Sequence, residues 1–511
     1  MHESFVLLFS QLFVFHLSKS LAQPVAHSEH GFAFMSWIRP WSRWLSRNAW
    51  WLLALAPFLF LAGVVVRYNV PVPFLDQWDL VPMLEKSYHG QLTFADLWEL
   101  HNEHRALFPR AFLLCLARLT SWDIRYEFAA NLLLAVGIFA VLSWQVRRTA
   151  RDLGRPELRW AVPLVSVIVF SLSQYQNWLW GITLHIFLSV LALLSSLVLL
   201  ARPAFHWGRF VAAALLGVVA SYSFGNGGLV WPLGLLLLSL AKPETKAKKP
   251  SLVAWSIIGV LTMGFYFYHY ERTEEHPPLT LLFQHPIQYL CYAFKFLGNI
   301  CAEYPGTNVS LDGACALVYG LGATLVLAWA VRTLLRHNLV PLSIVLPYLG
   351  LGSYSVTSAL LIGVGRLGMG SDQALMSRYC TITAPLWFSV VILLILLTKT
   401  TQTAPGSSSE TRNEAGKEAV HQGRPAQWLL PVTVVLLILG SVLGLDGAER
   451  MSRVQEFGLR SLLNLAANPS ADIDSRGLGL LHPRPAVVVQ LYPFLKQHHL
   501  SVFRDQEPGK P

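Results

Sequence analysis

Two aspartates, Asp76 and Asp79, follow the first long apolar run and are the residues best suited to acid–base catalysis. Pro71 and Pro73 precede them and would end a helix there, because proline lacks a backbone N–H. A carboxylate at an apolar boundary is partly desolvated, which favours its protonated form and suits it to act as a general base. The pair could also share a divalent cation, Mg²⁺ or Mn²⁺. A helix N-cap or plain interfacial solvation is the alternative.

A second polar cluster occurs later in the same stretch, which runs from Phe74 to Arg110. If the cluster is helical, His101, His104 and Arg105 share a face, since residues three and four apart are neighbours. We favour hydrogen bonding to a sugar or phosphate. The spacing is not HExxH, so a zinc site is not expected, and a solvated loop face is the alternative. The cluster consists of His101, Asn102, Glu103, His104 and Arg105.

Three further arginines stand where an anion could bind. Arg110 precedes a short apolar stretch, 111–119. We expect this stretch to form a helix that lies at the outer surface of the membrane that the chain is predicted to span. Arg366 and Arg378 belong to the glycine-rich segment GVGRLGMGSDQALMSRY, where guanidinium groups suit a phosphate and glycines let backbone approach it. Snorkelling at the interface or pairing with Asp372 is the alternative. The candidate residues here are Arg110, Arg366, Arg378 and Tyr379.

Two turns between apolar runs carry amides beside aromatic residues. They are QYQNWLW, with Gln176 and Asn177, and SYSFGNGG, with Asn226. These side chains suit contact with carbohydrate or a lipid headgroup. Equally, tyrosine and tryptophan populate the interfacial belt of most membrane proteins.

The elements that must position these residues are membrane-spanning helices. The chain has 511 residues, 54% hydrophobic and 13% charged, and repeated apolar runs of about 20 residues. We therefore predict an all-α, polytopic transmembrane helical bundle with a large first outer loop that carries short interfacial helices. The net charge of +10 does not indicate nucleic-acid binding, because the cations lie in short loops. About eleven spans are predicted: 49–67, 126–146, 160–177, 180–201, 209–224, 227–241, 251–270, 313–331, 340–362, 380–398 and 428–445.

The distribution of lysine and arginine predicts the topology. With the N-terminus inside, four basic loops fall on the cytoplasmic side, as the positive-inside rule requires. The same topology puts 74–110 and 363–379 outside. We divide the chain into an N-terminal segment with an alternative start at Met35, a transmembrane catalytic core, a disordered cytoplasmic linker, a last transmembrane helix and a short extracytoplasmic tail. These parts are 1–48, 49–400, 401–427, 428–445 and 446–511.

The motifs FLDQWD, HNEHRALFPR, QYQNWLWG, SFGNGGLVWP and GRLGMGSDQALMSRY, in this order, resemble those of bacterial members of the GT-C superfamily of polytopic glycosyltransferases. The resemblance covers roughly residues 49–400. It departs from the family in two ways. Those families often carry Asp-Glu in the first loop where this chain has Asp76 and then Asp79, so the identity of the base stays open. The long soluble C-terminal domain of some members has no counterpart.

This resemblance implies a GT-C-like fold and a reaction at the extracytoplasmic face of a bacterial inner membrane. Arg378 and Arg366 would hold the phosphate of a polyprenyl-phosphate-linked sugar, and Asp76 or Asp79 would deprotonate the acceptor hydroxyl for an inverting displacement. His104 would orient sugar or acceptor, as would Arg105. The implied partners are this donor, membrane lipids and a glycan, lipid or protein acceptor. No cofactor beyond the optional cation is implied.

Two other classes of function remain open. A flippase or exporter of lipid-linked sugars would also need outer-face arginines and aromatics, but it predicts charged residues at mid-membrane depth. We see no convincing acidic residue within a predicted span, and the polar residues cluster on one face, which favours the enzyme. A structural or sensory membrane protein would leave the Asp, His and Arg clusters without a purpose.

Overall fold

The part of the chain that the structure describes consists of α- and 3₁₀-helices, with no β-strand, so the all-α prediction is confirmed. The structure is a computed structural model, and it divides into two units, Met1–Leu52 and Leu53–Pro511. The site described below lies in the second unit. The described residues are 29–100, 102, 104–202, 204–241, 247–271, 280–302, 309–402, 414–469 and 474–505.

The α-helices follow one another along the chain with short connections. The first ten are α1 (Glu29–Tyr68), α2 (Val81–Tyr88), α3 (Phe94–Trp98), α4 (Leu107–Thr120), α5 (Ile124–Asp152), α6 (Val162–Val169), α7 (Tyr175–Leu179), α8 (Leu184–Leu200), α9 (Trp207–Ser221) and α10 (Val230–Leu240). The next are α11 (Lys248–Phe267), α12 (Leu281–Gln284), α13 (Pro286–Gly298), α14 (Val309–Arg336), α15 (Leu342–Arg366), α16 (Cys380–Gln402), α17 (Glu414–Ala467), α18 (Ser475–Leu481) and α19 (Pro485–Gln497). Short 3₁₀-helices occupy Leu75–Leu80, Pro156–Ala161, Leu172–Gln174, Gly181–Thr183, Gly225–Leu229, Asn299–Cys301, Leu367–Met369, Ser371–Leu375, Ser377–Tyr379 and Ser501–Phe503.

Nine helices in the described residues are long and apolar enough to cross a membrane. Each coincides with one of the eleven predicted spans. The other two predicted spans, 209–224 and 227–241, coincide with shorter apolar helices, so the count of about eleven stays a prediction. The nine are Ala49–Tyr68, Ile124–Asp152, Pro156–Leu179, Gly181–Leu200, Lys248–Phe267, Ser310–Arg336, Leu342–Met369, Ser377–Thr398 and Arg424–Ala467.

The segment between α1 and α5 folds into short helices rather than an irregular loop. A 3₁₀ turn at Leu75–Leu80 leads directly into α2, and α3 and α4 follow. The α4 helix has 14 residues, about 21 Å at 1.5 Å per residue, so it cannot cross a bilayer core of about 30 Å. Its apolar side chains Phe112 and Leu119 are exposed. The predicted short helix over 111–119 is thus present, four residues longer at its N-terminal end and one residue longer at its C-terminal end.

The core is built around α16, whose apolar window is 94% buried in the span Ser377–Thr398. Pro385 interrupts this helix, since its ring excludes one backbone hydrogen bond. The hydroxyl of Ser355 in α15 repairs the ladder: it accepts from the N–H of Leu386 at 3.1 Å and donates to the carbonyl of Ile382 at 2.8 Å. The interruption is therefore satisfied by a neighbouring helix, as proline in an apolar span requires.

The end of the chain differs from prediction. The linker predicted to be disordered, 401–427, is helical from Glu414 onward, and residues 403–413 lie outside the described part. Likewise, the last helix does not stop at 445 but continues to Ala467. Alanine, glutamate and lysine favour helix in EAGKEAV, and beyond the apolar run opposite charges recur four residues apart, which stabilises an exposed helix. These pairs are Asp446–Arg450 at 3.1 Å, Glu449–Arg453 at 2.9 Å and Glu456–Arg460 at 3.8 Å.

Candidate active site

A cavity of about 930 Å³ lies among the first-loop helices, the turns that begin α8 and α10, and the ends of α11 and α15. It gathers residues from segments that are far apart in the sequence. Eight of the thirteen predicted site residues line it, and the lining is otherwise mainly apolar and aromatic. The eight are Asp76, Asp79, His104, Arg110, Asn226, Arg366, Arg378 and Tyr379.

Asp76 and Asp79 both line the cavity because they lie three residues apart on a 3₁₀ turn. A 3₁₀-helix has three residues per turn, so side chains at i and i+3 project from the same side. The intervening Gln77 and Trp78 point inward and are buried. The indole N–H of Trp78 donates to the carbonyl of Pro73 at 2.9 Å, which fixes the entry to the turn. The two carboxylates thus lie on a turn whose central side chains are buried and hydrogen-bonded.

A buried glutamate anchors this turn. Glu127 accepts a hydrogen bond from the amide of Gln77 at 2.6 Å and another from the indole of Trp122 at 2.9 Å. It packs so tightly on Gly181 that a Cβ there would lie 2.1 Å from its Oε2 atom. Glu127 lies within the span Ile124–Asp152, so the prediction that no acidic residue lies in a span is wrong. Its two donors belong to the first loop, which the sequence pattern of α5 does not reveal.

Arg366 and Arg378 line another part of the same cavity, together with Tyr379. Arg378 belongs to the 3₁₀ turn that precedes α16, and its guanidinium carbon lies 5.3 Å from the Tyr379 ring centroid and 6.0 Å from that of Trp180. Aromatic faces on a guanidinium restrict its position while leaving its N–H donors available. The arrangement suits the binding of a phosphate.

Gln176 and Asn177 do not line the cavity but hold the backbone of Arg378. The N–H of Arg378 donates to Oε1 of Gln176 at 3.2 Å, and Nδ2 of Asn177 donates to the carbonyl of Arg378 at 2.9 Å. Asn177 also donates to the hydroxyl of Thr381 at 2.7 Å. The predicted substrate-binding amides of this turn therefore do not reach the cavity themselves, but they position Arg378, which lines it.

A third part of the wall combines amide and imidazole groups around Phe224. The rings of His104 and His185 lie 4.5 and 5.3 Å from the Phe224 ring centroid. Asn226 is 3% exposed, and its Nδ2 atom has no hydrogen-bond partner within the described part of the chain. A buried donor without a partner costs free energy unless a ligand accepts its hydrogen. A Cβ at Gly225 would lie 2.8 Å from Nδ1 of His104, so the glycine permits this packing.

Sequence reasoning missed His185. Its Nδ1 atom lies 2.5 Å from the carbonyl of Ile182, which can only accept, so Nδ1 carries the hydrogen and donates it. The residue lines the cavity from the first turn of α8. The signal was a lone histidine in an otherwise apolar predicted span, one turn after the QYQNWLWG motif.

The arginines of the first loop have different positions. Arg105 is buried and donates to the carbonyls of Tyr266 at 2.6 Å and Trp98 at 2.7 Å, so it joins the first loop to the end of α11 and does not line the cavity. Arg110 lines the cavity. Burial lowers the pKa of the Arg110 guanidinium, and the nearby carboxylates of Glu99 and Asp79 oppose that shift. Asp79 therefore lies within electrostatic reach of a buried cation.

Two predicted site residues, His101 and Glu103, lie outside the described residues. Within the described residues, no group of three or more His, Cys, Asp or Glu side chains could hold a metal ion. A cation shared by Asp76 and Asp79 alone stays a prediction.

The described part of the chain is all-helical, with nine helices that are long and apolar enough to cross a membrane and a mainly apolar cavity that carries charged and polar side chains. Comparison of the chain with protein-family models, with curated proteins and with solved structures gives no match.

Proposed function

We propose that the protein is an integral-membrane glycosyltransferase that moves a sugar from a polyprenyl-phosphate donor to an acceptor hydroxyl. The observation that carries this proposal is that one cavity is lined both by two carboxylates, Asp76 and Asp79, and by two arginines, Arg366 and Arg378. Its volume of about 930 Å³ lies within the range of roughly 300 to 1,000 Å³ that is usual for ligand pockets.

In the proposed mechanism, Asp76 or Asp79 removes the proton of the acceptor hydroxyl, and the oxygen attacks the anomeric carbon of the donor sugar. The bond to the lipid phosphate breaks in the same displacement, which inverts the anomeric configuration. Arg366 and Arg378 stabilise the phosphate as it leaves with the bonding electrons. Positioning, a general base and charge stabilisation are the contributions required of the protein.

The remaining polar wall suits a sugar. The amide Nδ2 of Asn226, which has no partner within the described residues, can donate to a hydroxyl oxygen. Rings of Phe224, Tyr266 and Tyr270 also line the cavity and suit the apolar face of a pyranose. The cytoplasmic side assigned to the basic loops supports an extracytoplasmic active site in a bacterial inner membrane.

The test compares the lipid-linked and surface glycans of cells that carry the wild-type protein, a deletion, and the Asp76→Asn/Asp79→Asn variant. We expect the deletion and the double variant to lose the same sugar, because amides of the same shape cannot act as bases. Asp372→Asn is the matched control, since this aspartate lies in the segment between Arg366 and Arg378 but not on the cavity wall. Membrane insertion of each variant is checked by its amount in the membrane fraction.

Retention of the wild-type glycan profile by the double variant, with loss in the deletion, would refute the general-base mechanism. Transport of a lipid-linked sugar would then explain the deletion, because transport does not require a base.

A further inference from the structure

The C-terminal segment 474–505 is attached to the candidate active site. The N–H of Ser501 donates to the carbonyl of Ser121 at 2.9 Å, and Arg504 pairs with Asp123. The rings of Phe494 in α19 and Tyr88 in α2 pack in a T-shaped arrangement, with their centroids 5.8 Å apart. Three contacts at separate points therefore hold this segment against the helices that carry the first loop.

The connection between α18 and α19 reaches the cavity. Pro483 lines it, and the preceding residue, His482, is 5% exposed. Nε2 of His482 lies 3.8 Å from Oδ1 of Asp79, whose side chain is 40% exposed. This distance is longer than a hydrogen bond, but it is short enough for an electrostatic contact between the two groups. His482 therefore approaches one of the two candidate bases.

The other ring nitrogen of His482, Nδ1, lies beside backbone groups of Arg484 that can pair with it whether or not it carries a hydrogen. Nδ1 lies 3.1 Å from the N–H of Arg484 and 3.1 Å from its carbonyl oxygen. When Nδ1 accepts from the N–H, Nε2 carries the hydrogen and can donate to an ionised Asp79. When Nδ1–H donates to the carbonyl, Nε2 can accept from a protonated Asp79. The ring keeps a partner in both cases.

We propose that Asp79 is the general base and that His482 is its positioning residue, which donates from Nε2 to the ionised carboxylate while its Nδ1 accepts from the N–H of Arg484. This inference rests on the proposed transferase function. In the forward step, the acceptor O–H proton moves to Asp79 as the C–O bond to the sugar forms and the bond to phosphate breaks. The proton leaves from Asp79 to water after product release, which restores the ionised carboxylate to which the Nε2–H of His482 donates.

Asp79 has a charged neighbour on another element. Arg110 of α4 lies within electrostatic reach of Asp79. On the segment that carries His482, Asp474 is held by the hydroxyl of Ser461 and the N–H of Gly477. The pair Asp79–His482 thus faces a cation from α4, while Asp474 is engaged by groups of its own and of α17.

The experiment replaces His482 by glutamine, which can still donate or accept, and by phenylalanine, which fills the space without either ability. Transfer is measured from the glycan profile at equal protein levels, and hydrogen–deuterium exchange is measured over residues 75–80. We expect His482→Phe to lose transfer by about 10- to 100-fold, the size of a lost hydrogen bond to a charged group. We expect His482→Gln to stay within about threefold of wild type.

Matched variants separate this role from folding. His498 is another histidine of the same segment, and its ring centroid lies 5.0 Å from that of Tyr88. The variant His498→Phe should leave transfer and hydrogen exchange unchanged. With Asp79 already changed to Asn, His482→Phe should cause no further loss. Equal losses in His482→Gln and His482→Phe, or wild-type behaviour of both, would overturn the inference.

The two proposals fail in different ways. If Asp76→Asn/Asp79→Asn retains transfer, the proposed function fails. The hydrogen-exchange measurement then still tests the contact between Asp79 and His482. Faster exchange over residues 75–80 in His482→Phe but not in His482→Gln supports that contact. If transfer requires Asp79 but neither measurement responds to His482→Phe, the function stands and the role of His482 is refuted.

Discussion

Single residues in this protein act mainly by fixing other residues. Glu127 holds the turn that carries the two aspartates, Gln176 holds the backbone of Arg378, and Arg105 holds the end of α11. Each is a polar group with partners from a distant part of the chain. Buried polar groups of this kind are costly to alter, because a lost partner leaves a donor or acceptor unsatisfied.

The variant Glu127→Gln tests whether a buried polar group that anchors the turn is costly to alter. The two acceptor oxygens of Glu127 receive hydrogen bonds from Gln77 and Trp122, and an amide NH₂ would face one of these donors. We expect the variant to lose about 1–3 kcal/mol of stability, seen as a lower midpoint of thermal unfolding in detergent. Glu449→Gln is the control, since its exposed pair with Arg453 should contribute less than about 1 kcal/mol. Equal midpoints for Glu127→Gln and wild type would contradict the anchoring role.

At the scale of the elements, the two arginines depend on how α15 meets α16. Arg366 ends α15, and Arg378 lies on the turn that leads into α16. The hydroxyl of Ser355 joins the two helices where Pro385 interrupts the second. This hydroxyl is therefore one of the contacts that hold the two arginine-bearing helices together.

Ser355→Ala removes that contact. It leaves the N–H of Leu386 and the carbonyl of Ile382 without their interhelical partner, so we expect a loss of about 1–3 kcal/mol in stability, measured by thermal unfolding. Thr357→Ala is the matched control, because its hydroxyl bonds only carbonyls of its own helix, which already serve the helical ladder. If both variants unfold at the same temperature, the serine does not repair the interrupted helix.

At the scale of the whole molecule, the cavity and the basic loops should lie on opposite sides of a membrane. Ser371 and Glu157 are both exposed, the first between the cavity arginines and the second in a basic loop. In a variant without native cysteines, we expect Ser371→Cys to react with a membrane-impermeant maleimide in intact cells. Glu157→Cys should react only after permeabilisation. The reverse pattern would invert the predicted topology and contradict an extracytoplasmic site.

The sequence by itself determined the helical class and most of the chemistry of the cavity. Apolar runs of about 20 residues predict helices without reference to tertiary contacts, and nine of the eleven met the length of a span. The positions of Asp76 and Asp79 relative to each other follow from local geometry alone. The arginines of the glycine-rich segment were found because cations are unexpected in an outer loop.

Only the tertiary structure decided which polar residues line the cavity and which support it. Arg105 and Arg110 look equivalent in sequence, yet one joins the first loop to α11 and the other lines the cavity. Glu127, His185 and His482 carry no local motif, and their roles depend on partners up to hundreds of residues away. Hydrophobic periodicity records which face of a helix is buried but not against what it is buried. The residues that a buried face contacts are decided only when the helices pack.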